Sequence, residues 1–318
     1  MKKYVFFDIE CACVYKYTAK ICAFGYTVTD EHYNLLEKED ILINPKGKFH
    51  LTDRSGKDGI VLPYEYGEFS TRPFFPEVYP KIKTLLEDRE ATVIGHAAHN
   101  DVNYLNLETK RYRLPSLRFT FHDTQFLYMN TEGDFTRQCG LGVMAESLGV
   151  DFIPHRAADD AYATMRVCEA LCKREGVTLE ELVEKYRIRP GSLVRYQMRQ
   201  PDSEGLKDYY RRREEEHKRR SAAREKFFRF VSKNNYRTRG GVNAGKRFCF
   251  SKEIENDPAR SLSLADAVFK SGGKYTSRPQ ECDIYIAEEA GGKRYENAVE
   301  SGAAFVPLKE FQESLEEV

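Results

Sequence analysis

Two carboxylates separated by a single residue, Asp8 and Glu10, follow an apolar run near the start of the sequence. That run, residues 4–7, consists of aromatic and β-branched side chains, which predicts a strand buried on both faces. Residues two apart in a strand lie on the same face, so both carboxylates are expected to point the same way. Such a pair is self-repelling and loses hydration, and divalent cations are the usual compensation. The alternative is a strand end that frays into solvent, where acidic residues need no compensation.

Two later acids are also expected to face the interior. Asp101 follows an apolar run at residues 91–95 and shares a helical face with apolar side chains. In the helical pattern at residues 158–174, Asp160 shares its face with almost wholly apolar positions, whereas Asp159 lies on a charged face. Each acid taken alone could be a helix N-terminal residue stabilised by the helix dipole. Three segments that all direct carboxylates inward instead indicate a shared site, because an unpaired buried charge costs roughly several kcal/mol.

The elements that must position these acids alternate along the first half of the chain. Strands are predicted at residues 4–7, 21–28, 41–43, 91–95 and 117–122, and helices at residues 75–87, 101–105, 141–148 and 158–174. Alternating strands and helices predict an α/β domain with a mixed sheet. Sites in such sheets form where strand ends meet helix starts, which is where the acids lie.

Length and composition predict a globular protein of two domains. The chain has 318 residues, 41% of them hydrophobic and 31% charged, and its 50 basic and 50 acidic side chains cancel. Affinity for a polyanion must therefore come from local clusters of charge. The sequence has no signal-peptide pattern and no apolar stretch of membrane-spanning length, and its eight cysteines form no paired CxxC units. We therefore expect reduced thiols and a cytoplasmic protein without membrane contact.

Three segments carry the acids in a fixed order: residues 7–10, 95–101 and 155–160. In the third segment, His155 precedes Asp160 by five residues. This pattern resembles the DEDD superfamily of 3′–5′ exonucleases, in its histidine-containing branch. The resemblance covers residues 1–176 and implies a ribonuclease H-like mixed sheet flanked by helices. Cys11 stands where the family often has threonine and Ala97 where it often has asparagine, and both departures concern substrate handling.

The resemblance implies a metal-dependent enzyme that hydrolyses phosphodiester bonds. Its metal ligands would be four carboxylates that hold two divalent cations, Mg²⁺ or Mn²⁺: Asp8, Glu10, Asp101 and Asp160. Asp8 is the best candidate to bridge both ions, and His155 would act as the general base. The catalytic set is therefore expected to be these four acids together with this histidine.

Residues 177–239 are expected to form a charged helical connector. Within them, residues 207–239 contain 13 cations and five acids, a net charge of +8. The same stretch carries aromatic side chains, among them Tyr209, Tyr210, Phe227, Phe228 and Phe230. Cations interleaved with aromatics suit phosphate contact and base stacking. A solvated helix with opposite charges three or four residues apart fits equally well.

Residues 240–318 resemble a BRCT domain in their order of strands and helices. The predicted order is a strand at 246–250, a helix at 262–270, a Gly-Gly turn, a strand at 283–287, a helix at 295–301, a strand at 304–307 and a helix at 308–315. The tryptophan usual in the last helix is absent, and Phe311 is expected to fill its place. The resemblance implies binding to a partner protein, a phosphopeptide or DNA ends. Ser251 and Lys293 are candidate phosphate contacts, although ordinary surface roles are favoured for both.

The expected substrate is a nucleic acid with a free 3′ end. DNA is favoured over RNA because the BRCT-like unit suggests a role in repair or replication. Two alternatives stay open: an exoribonuclease that acts on short RNA, and a non-catalytic nucleic-acid-binding scaffold.

Overall fold

The apolar run that precedes Asp8 lies in a long strand, β1 (Lys3–Tyr15), in the middle of a sheet. The fold is that of a computed structural model, which describes residues 2–47, 49, 62–150, 154–235 and 240–316. The chain divides into two compact units, Met1–Tyr209 and Tyr210–Val318.

The sheet of the first unit is mixed, as the alternating pattern predicts. Within the described residues its other strands are β2 (Thr18–Asp30), β3 (Leu35–Leu42), β4 (Ala91–Gly95), β5 (Phe119–Asp123), β6 (Gly191–Val194) and β7 (Gln197–Arg199). Their order across the sheet is β3-β2-β1-β4-β5-β6-β7. β1 runs antiparallel to β2 and parallel to β4, and β4 runs parallel to β5. The predicted α/β class with a mixed sheet is therefore confirmed.

Helices cover both faces of this sheet. They are α1 (Phe75–Leu86), α2 (His99–Arg111), α3 (Thr124–Glu132), α4 (Leu141–Leu148), α5 (Ala157–Glu175) and α6 (Leu179–Lys185), with a 3₁₀ helix at Tyr66–Thr71. Alternation along β1 sends Val5 and Phe7 into one apolar cluster, where α1 and α2 pack. It sends Tyr4 and Phe6 into a second cluster, where α5 and α6 pack. Each face of β1 is thus buried, which explains its almost continuous apolar sequence.

The segment after residue 176 differs from the expected helical connector. Helix α6 is followed by an antiparallel pair, β6 and β7, and β6 extends the first sheet beside β5. These strands have only four and three residues. Strands this short show no alternation that could distinguish them from a loop in the sequence. A long helix then follows, α7 (Glu204–Asn234), and the boundary between the two units falls inside it.

The second unit contains a parallel sheet of four strands within the described residues. After α7 its elements are β8 (Arg247–Phe250), α8 (Lys252–Asn256), α9 (Pro258–Lys270), β9 (Lys274–Tyr275), a 3₁₀ helix (Pro279–Glu281), β10 (Ile284–Ala287), α10 (Gly292–Glu300), β11 (Ala304–Pro307) and α11 (Leu308–Glu316). The strand order is β11-β10-β8-β9. Its core combines Phe227 of α7 with Phe248 and Phe250 of β8 and with Phe311 of α11. The two-residue strand β9 was not predicted, because the sequence there favours a turn.

All eight cysteines lie in the described residues, and all are free thiols, as expected. Most of them are buried. In the part of the chain that the structure describes, no helix combines the length and the apolar character needed to cross a membrane.

Candidate functional site

β1 presents Asp8 and Glu10 on one side of the sheet, as the spacing predicts. Both have the same parity along the strand as the β1 residues that pack against α5. In the antiparallel pairing with β2, Asp8 lies opposite Gly25 and Glu10 lies opposite Ala23. The register becomes irregular directly after Glu10. Both carboxylates are therefore fixed by the regular part of the strand.

Gly25 allows α5 to approach β2 until the two backbones touch. A Cβ atom at this position would lie 1.9 Å from the carbonyl carbon of Ala157 and 2.1 Å from the nitrogen of Ala158. Any side chain here would push the first turn of α5 away from the sheet. That turn carries Asp160, and His155 lies just before it. Because Gly25 has no side chain, this end of α5 can reach the face of β1 that carries Asp8 and Glu10.

The start of α5 links His155 to Asp160. The backbone N–H of His155 donates to Asp160 Oδ2 at 2.9 Å, and the imidazole is left exposed. His155 has a φ of +69°, in the left-handed region that few residues other than glycine adopt. Asp160 is buried, whereas Asp159 is partly exposed and pairs with Lys38 at 2.6 Å. The helical period thus assigned the two neighbouring acids to the correct faces.

Asp101 reaches the site from the first turn of α2, which follows β4. Because β4 runs parallel to β1, the carboxyl ends of both strands meet at one edge of the sheet. The Asp101 side chain is buried beside Val102 and Leu105, which belong to the core. This acid is therefore directed inward, as its position in the helical pattern predicts.

The four carboxyl groups interact strongly, and we refer to them as the acid cluster: Asp8, Glu10, Asp101 and Asp160. Burial raises the pKa of Asp8, and the charges of the other three members raise it further. Burial also raises the pKa of Asp101, followed by the effect of Glu10. Burial is the main cause that brings the pKa of Glu10 to about 8 and that of Asp160 to about 7. The structure thus brings all four predicted acids together, at the cost of mutual repulsion.

The donor atoms of the site fit divalent cations. Carboxylate oxygens are the hard ligands that Mg²⁺ and Mn²⁺ prefer. Ligand atoms of Glu10, His155 and Asp160 lie within 4.8 Å of one another. The largest charge effects on Asp8 and Glu10 come from other carboxylates. A bound cation would compensate this excess of negative charge.

A fifth carboxylate, Asp40 on β3, lies beside the acid cluster and was not predicted. Its charge raises the pKa of both Glu10 and Asp160. The hydroxyl of Tyr64 donates to Asp40 Oδ2 at 2.7 Å and accepts from the backbone N–H of Ala157 at 2.9 Å. This chain of hydrogen bonds ties β3 to the first residue of α5.

Asp123 at the end of β5 holds the loop that precedes Asp101. Its carboxylate accepts from the backbone N–H groups of Ala97 and Ala98, each at 3.0 Å. It also caps α3 by accepting from the backbone N–H of Gln125 at 2.9 Å. The pKa of Asp123 rises to about 6 because burial outweighs these hydrogen bonds. Asp123 therefore supports the loop that leads to Asp101.

His96, in the same loop, is a structural residue. One ring nitrogen lies 3.0 Å from Thr124 Oγ1 and the other lies 3.1 Å from the carbonyl oxygen of Cys139. Burial lowers the pKa of His96 to about 4. The neutral ring therefore links the end of β4 to the region around α3.

Comparison with known proteins gives the site a family context. The model of the Exonuclease family matches residues 5–168, more than half of the chain. No curated protein matches the chain. A solved full-length 3′-exonuclease is similar with a TM-score of 0.50 and 17% identity, covering 64% of this chain and 92% of that one. Exonuclease I without ligand is similar with a TM-score of 0.41 and 12% identity, covering 58% of this chain and 44% of that one. The first likeness shows a shared fold, and the family match shows that the chain belongs to the exonuclease family.

Proposed function

We propose that this exonuclease-family protein is a divalent-metal-dependent 3′–5′ exonuclease of the histidine-containing DEDD branch. The observation that carries the proposal is the convergence of the acid cluster from three separate segments, beside His155. Such a concentration of buried negative charge destabilises a fold unless positive charge compensates it. Phosphodiester hydrolysis accounts for the presence of cations there, because its charged substrate requires cations at the reacting phosphate.

The acid cluster is proposed to hold two divalent cations, Mg²⁺ or Mn²⁺, with Asp8 shared between them. When bound, such cations stabilise charge on the phosphate oxygens and lower the pKa of water. Carboxyl groups bind cations in their ionised form, whereas burial favours the protonated forms of Glu10 and Asp160. Both groups must therefore lose a proton when a cation binds. Asp40 and Asp123 are proposed as supports that orient the segments carrying the ligands.

His155 is proposed to accept a proton from the attacking water at an imidazole nitrogen. Its ring is exposed, and its ligand atom lies within 4.8 Å of those of Glu10 and Asp160. The backbone hydrogen bond to Asp160 holds the residue in its left-handed conformation beside the acid cluster. A neutral imidazole suits proton transfer near neutral pH. The water oxygen then bonds to phosphorus and the bond from phosphorus to the 3′ oxygen breaks. The 3′ oxygen takes up a proton from solvent, and a nucleoside 5′-monophosphate leaves.

The proposed substrate is a nucleic acid with a free 3′ end. The 3′ direction is supported by the motif resemblance and by the similar fold of a full-length 3′-exonuclease. DNA is the favoured polymer because of the BRCT-like character of the second unit, and RNA is the alternative that the assay below distinguishes.

Residues 240–318 are proposed to be a BRCT-like domain that binds a partner protein. The exonuclease domain expected at 1–176 is proposed to extend through β7, so that α7 takes the place of the connector expected at 177–239. The parallel four-stranded sheet and its alternating helices support the BRCT-like assignment. Phe311 packs against Phe248 with ring centroids 5.8 Å apart, which is consistent with the core position expected for it.

The free thiols support a reducing compartment for the proposed enzyme. The buried cysteines include neighbours such as Cys168 and Cys172, one helical turn apart on α5. Cysteines remain thiols where the cell keeps them reduced, and we therefore propose that the enzyme acts in the cytoplasm.

Incubation with end-labelled oligonucleotides tests the proposal. The full chain is mixed with 5′-labelled and 3′-labelled single-stranded DNA, duplex DNA and RNA, with Mg²⁺, Mn²⁺ or EDTA. We expect a ladder from the 5′ label, immediate mononucleotide release from the 3′ label and no products in EDTA. Release from the 5′ end, internal cleavage, or hydrolysis that persists in EDTA would each refute the proposal.

Neighbouring acids on α5 provide matched variants for this assay. Asp160→Ala is expected to abolish divalent-dependent hydrolysis while the protein stays folded by circular dichroism. Asp159→Ala removes the same group one residue away, where it pairs with Lys38, and is expected to keep nearly full activity. Equal loss of activity in both variants would contradict the assignment of Asp160 to the site.

A further inference from the structure

One exposed flank of α7 carries a row of cations at intervals of seven residues. Arg219, Lys226 and Lys233 are all exposed. Seven residues complete almost two helical turns, so these side chains lie on one face, about 10.5 Å apart along the axis. We call these three residues the basic stripe. The stripe lies in the second unit, in the part of α7 that follows the unit boundary.

Within the described residues, the three residues of the basic stripe lack the acidic partners that several other cations of the helix have, and Arg224, which lies over the Phe228 ring, shares this property. Three neighbouring cations each form an ion pair with the acid four residues earlier: Lys218 with Glu214, Arg220 with Glu216, and Arg229 with Glu225. For the three stripe residues, no ion pair or hydrogen bond occurs with any residue that the structure describes. Lys226 and Lys233 have no acid three or four positions away in either direction. The simple picture of a helix covered with self-neutralising pairs therefore does not extend to the stripe.

The three phenylalanines of α7 near the stripe are not available for base stacking. Phe227 is fully buried and contacts Phe250 and Tyr275. Phe228 and Phe230 are partly buried against the same core. The interpretation of interleaved cations and aromatics as a stacking surface is therefore wrong for these three phenylalanines. What lies exposed along the stripe is positive charge, which suits a phosphate backbone more than bases.

Charge is strongly segregated within the second half of the chain. Residues 207–239 carry a net charge of +8, whereas residues 240–318 contain 10 cations and 14 acids, a net charge of −4. The surface pocket beside Ser251 is lined by Glu253, Glu288 and Glu289. Those acids disfavour a phosphate at that pocket, despite the candidate roles of Ser251 and Lys293. A polyanion that meets this half of the chain is therefore attracted to α7.

We propose that the basic stripe binds the sugar–phosphate backbone of the nucleic acid, as an anchor additional to the active site. The proposal rests on the proposed function for the identity of the polyanion. Contacts of this kind fix position without reading sequence. Each cation that neutralises a phosphate on a single strand lowers the slope of log affinity against log salt by about 0.7. Loss of all three should flatten this slope by about 2 and weaken binding about 100-fold at 0.1 M salt.

The test compares two triple variants of the full chain that have the same net charge. One replaces the basic stripe by glutamine: Arg219→Gln, Lys226→Gln and Lys233→Gln. The other replaces the three paired cations: Lys218→Gln, Arg220→Gln and Arg229→Gln. Binding to a fluorescein-labelled single-stranded DNA 20-mer is followed by anisotropy, in EDTA to prevent hydrolysis, over a series of salt concentrations. Circular dichroism confirms that each variant keeps its helix content.

We expect the stripe variant to show the flatter salt slope and the weaker binding, and the paired-cation variant to bind within a few-fold of the wild type. Equal losses in both variants, or an unchanged slope in the stripe variant, would overturn the proposal. Polyglutamate of the same charge that competes as well as unlabelled DNA would also overturn it, because the partner would then be an acidic protein. Absence of nucleotide release by the wild type would refute the exonuclease function, and the binding result stands apart from it because EDTA excludes catalysis.

Discussion

Replacing Gly25 by alanine perturbs the acid cluster without touching any of its members. The added Cβ atom would lie 1.9 Å from the carbonyl carbon of Ala157, whereas ordinary contacts begin at 3.4 Å. The backbones of β2 and α5 must therefore separate by about 1.5 Å at this point, if neither deforms further. Because both partners are main-chain atoms of regular elements, no side-chain rotation can relieve the overlap.

The separation would move Asp160 and His155 away from β1, since both lie at the displaced end of α5. A misplacement of about 1 Å can reduce an enzymatic rate roughly 100-fold. Overpacking of this kind costs about 1–3 kcal/mol of stability, which leaves a domain of this size folded. We therefore expect kcat on a single-stranded oligonucleotide to fall at least about 100-fold, with a lowered but cooperative thermal transition.

The assay measures initial rates at saturating Mg²⁺ and the thermal transition of the same preparation. Gly142→Ala is the control, because a Cβ atom on Gly142 meets nothing within 4 Å and the residue lies inside α4. This control is expected to keep the wild-type rate. A folded Gly25→Ala protein with a wild-type rate would refute the claim that close contact between α5 and β2 positions the site.

Three further outcomes follow from the same site. In EDTA the free energy of unfolding should fall by a few kcal/mol between about pH 5 and pH 8.5, measured by urea titration, since each raised pKa unit contributes about 1.4 kcal/mol. The direction follows from the raised pKa values of Glu10 (about 8) and Asp160 (about 7) in the folded protein. The contribution of these two groups to the free energy of unfolding is complete below their pKa values in the unfolded chain. It is lost as pH rises through their pKa values in the folded protein. Asp123→Ala should lower stability by about 3 kcal/mol through loss of its backbone hydrogen bonds. His155→Ala should lower kcat by about 100-fold or more with little change in oligonucleotide affinity.

Each of these outcomes has a control and a contradicting result. Mg²⁺ should restore more stability at pH 8.5 than at pH 5.5, and an equal effect at both pH values would contradict the raised pKa values. Asp134→Ala removes a carboxylate that serves only an exposed turn around Thr136, so it should cost much less than Asp123→Ala. The control for His155→Ala is His32→Ala, which removes an exposed histidine on another loop. Full activity in His155→Ala would show that His155 is not the general base.

The sequence was sufficient to identify the acid cluster because each member sits in a regular local pattern. Strand alternation placed Asp8 and Glu10 on one face, and the helical period separated Asp160 from Asp159. Asp40 could not be identified in this way. β3 contains three acids in four positions, and which of them faces the cluster depends on the β2–β3 register, which shifts after Val28. Register over distant strands is a tertiary property that local spacing does not determine.

Other features of the structure also depend on tertiary contacts and could not be predicted from local sequence patterns. No local pattern indicates that Gly25 lies opposite Asp8, because that pairing follows from the β1–β2 hairpin. The strands β6 and β7 are too short to be recognised from periodicity.

The phenylalanines of α7 looked available for stacking in the sequence, yet Ala223, Phe227 and Val231 form a buried row at intervals of four residues. That apolar row was readable in the sequence, but the surrounding positive charge favoured the other interpretation.

The most direct test of the central claim is anomalous diffraction from crystals of the full chain grown with Mn²⁺ and a non-hydrolysable nucleotide 5′-phosphorothioate. The account predicts two Mn²⁺ peaks, both in contact with Asp8, with Glu10, Asp101 and Asp160 as the remaining protein ligands. The same crystals of Asp8→Asn should lose at least one peak. An absence of Mn²⁺ at the acid cluster in active wild-type protein, or Mn²⁺ bound by other residues, would contradict the account.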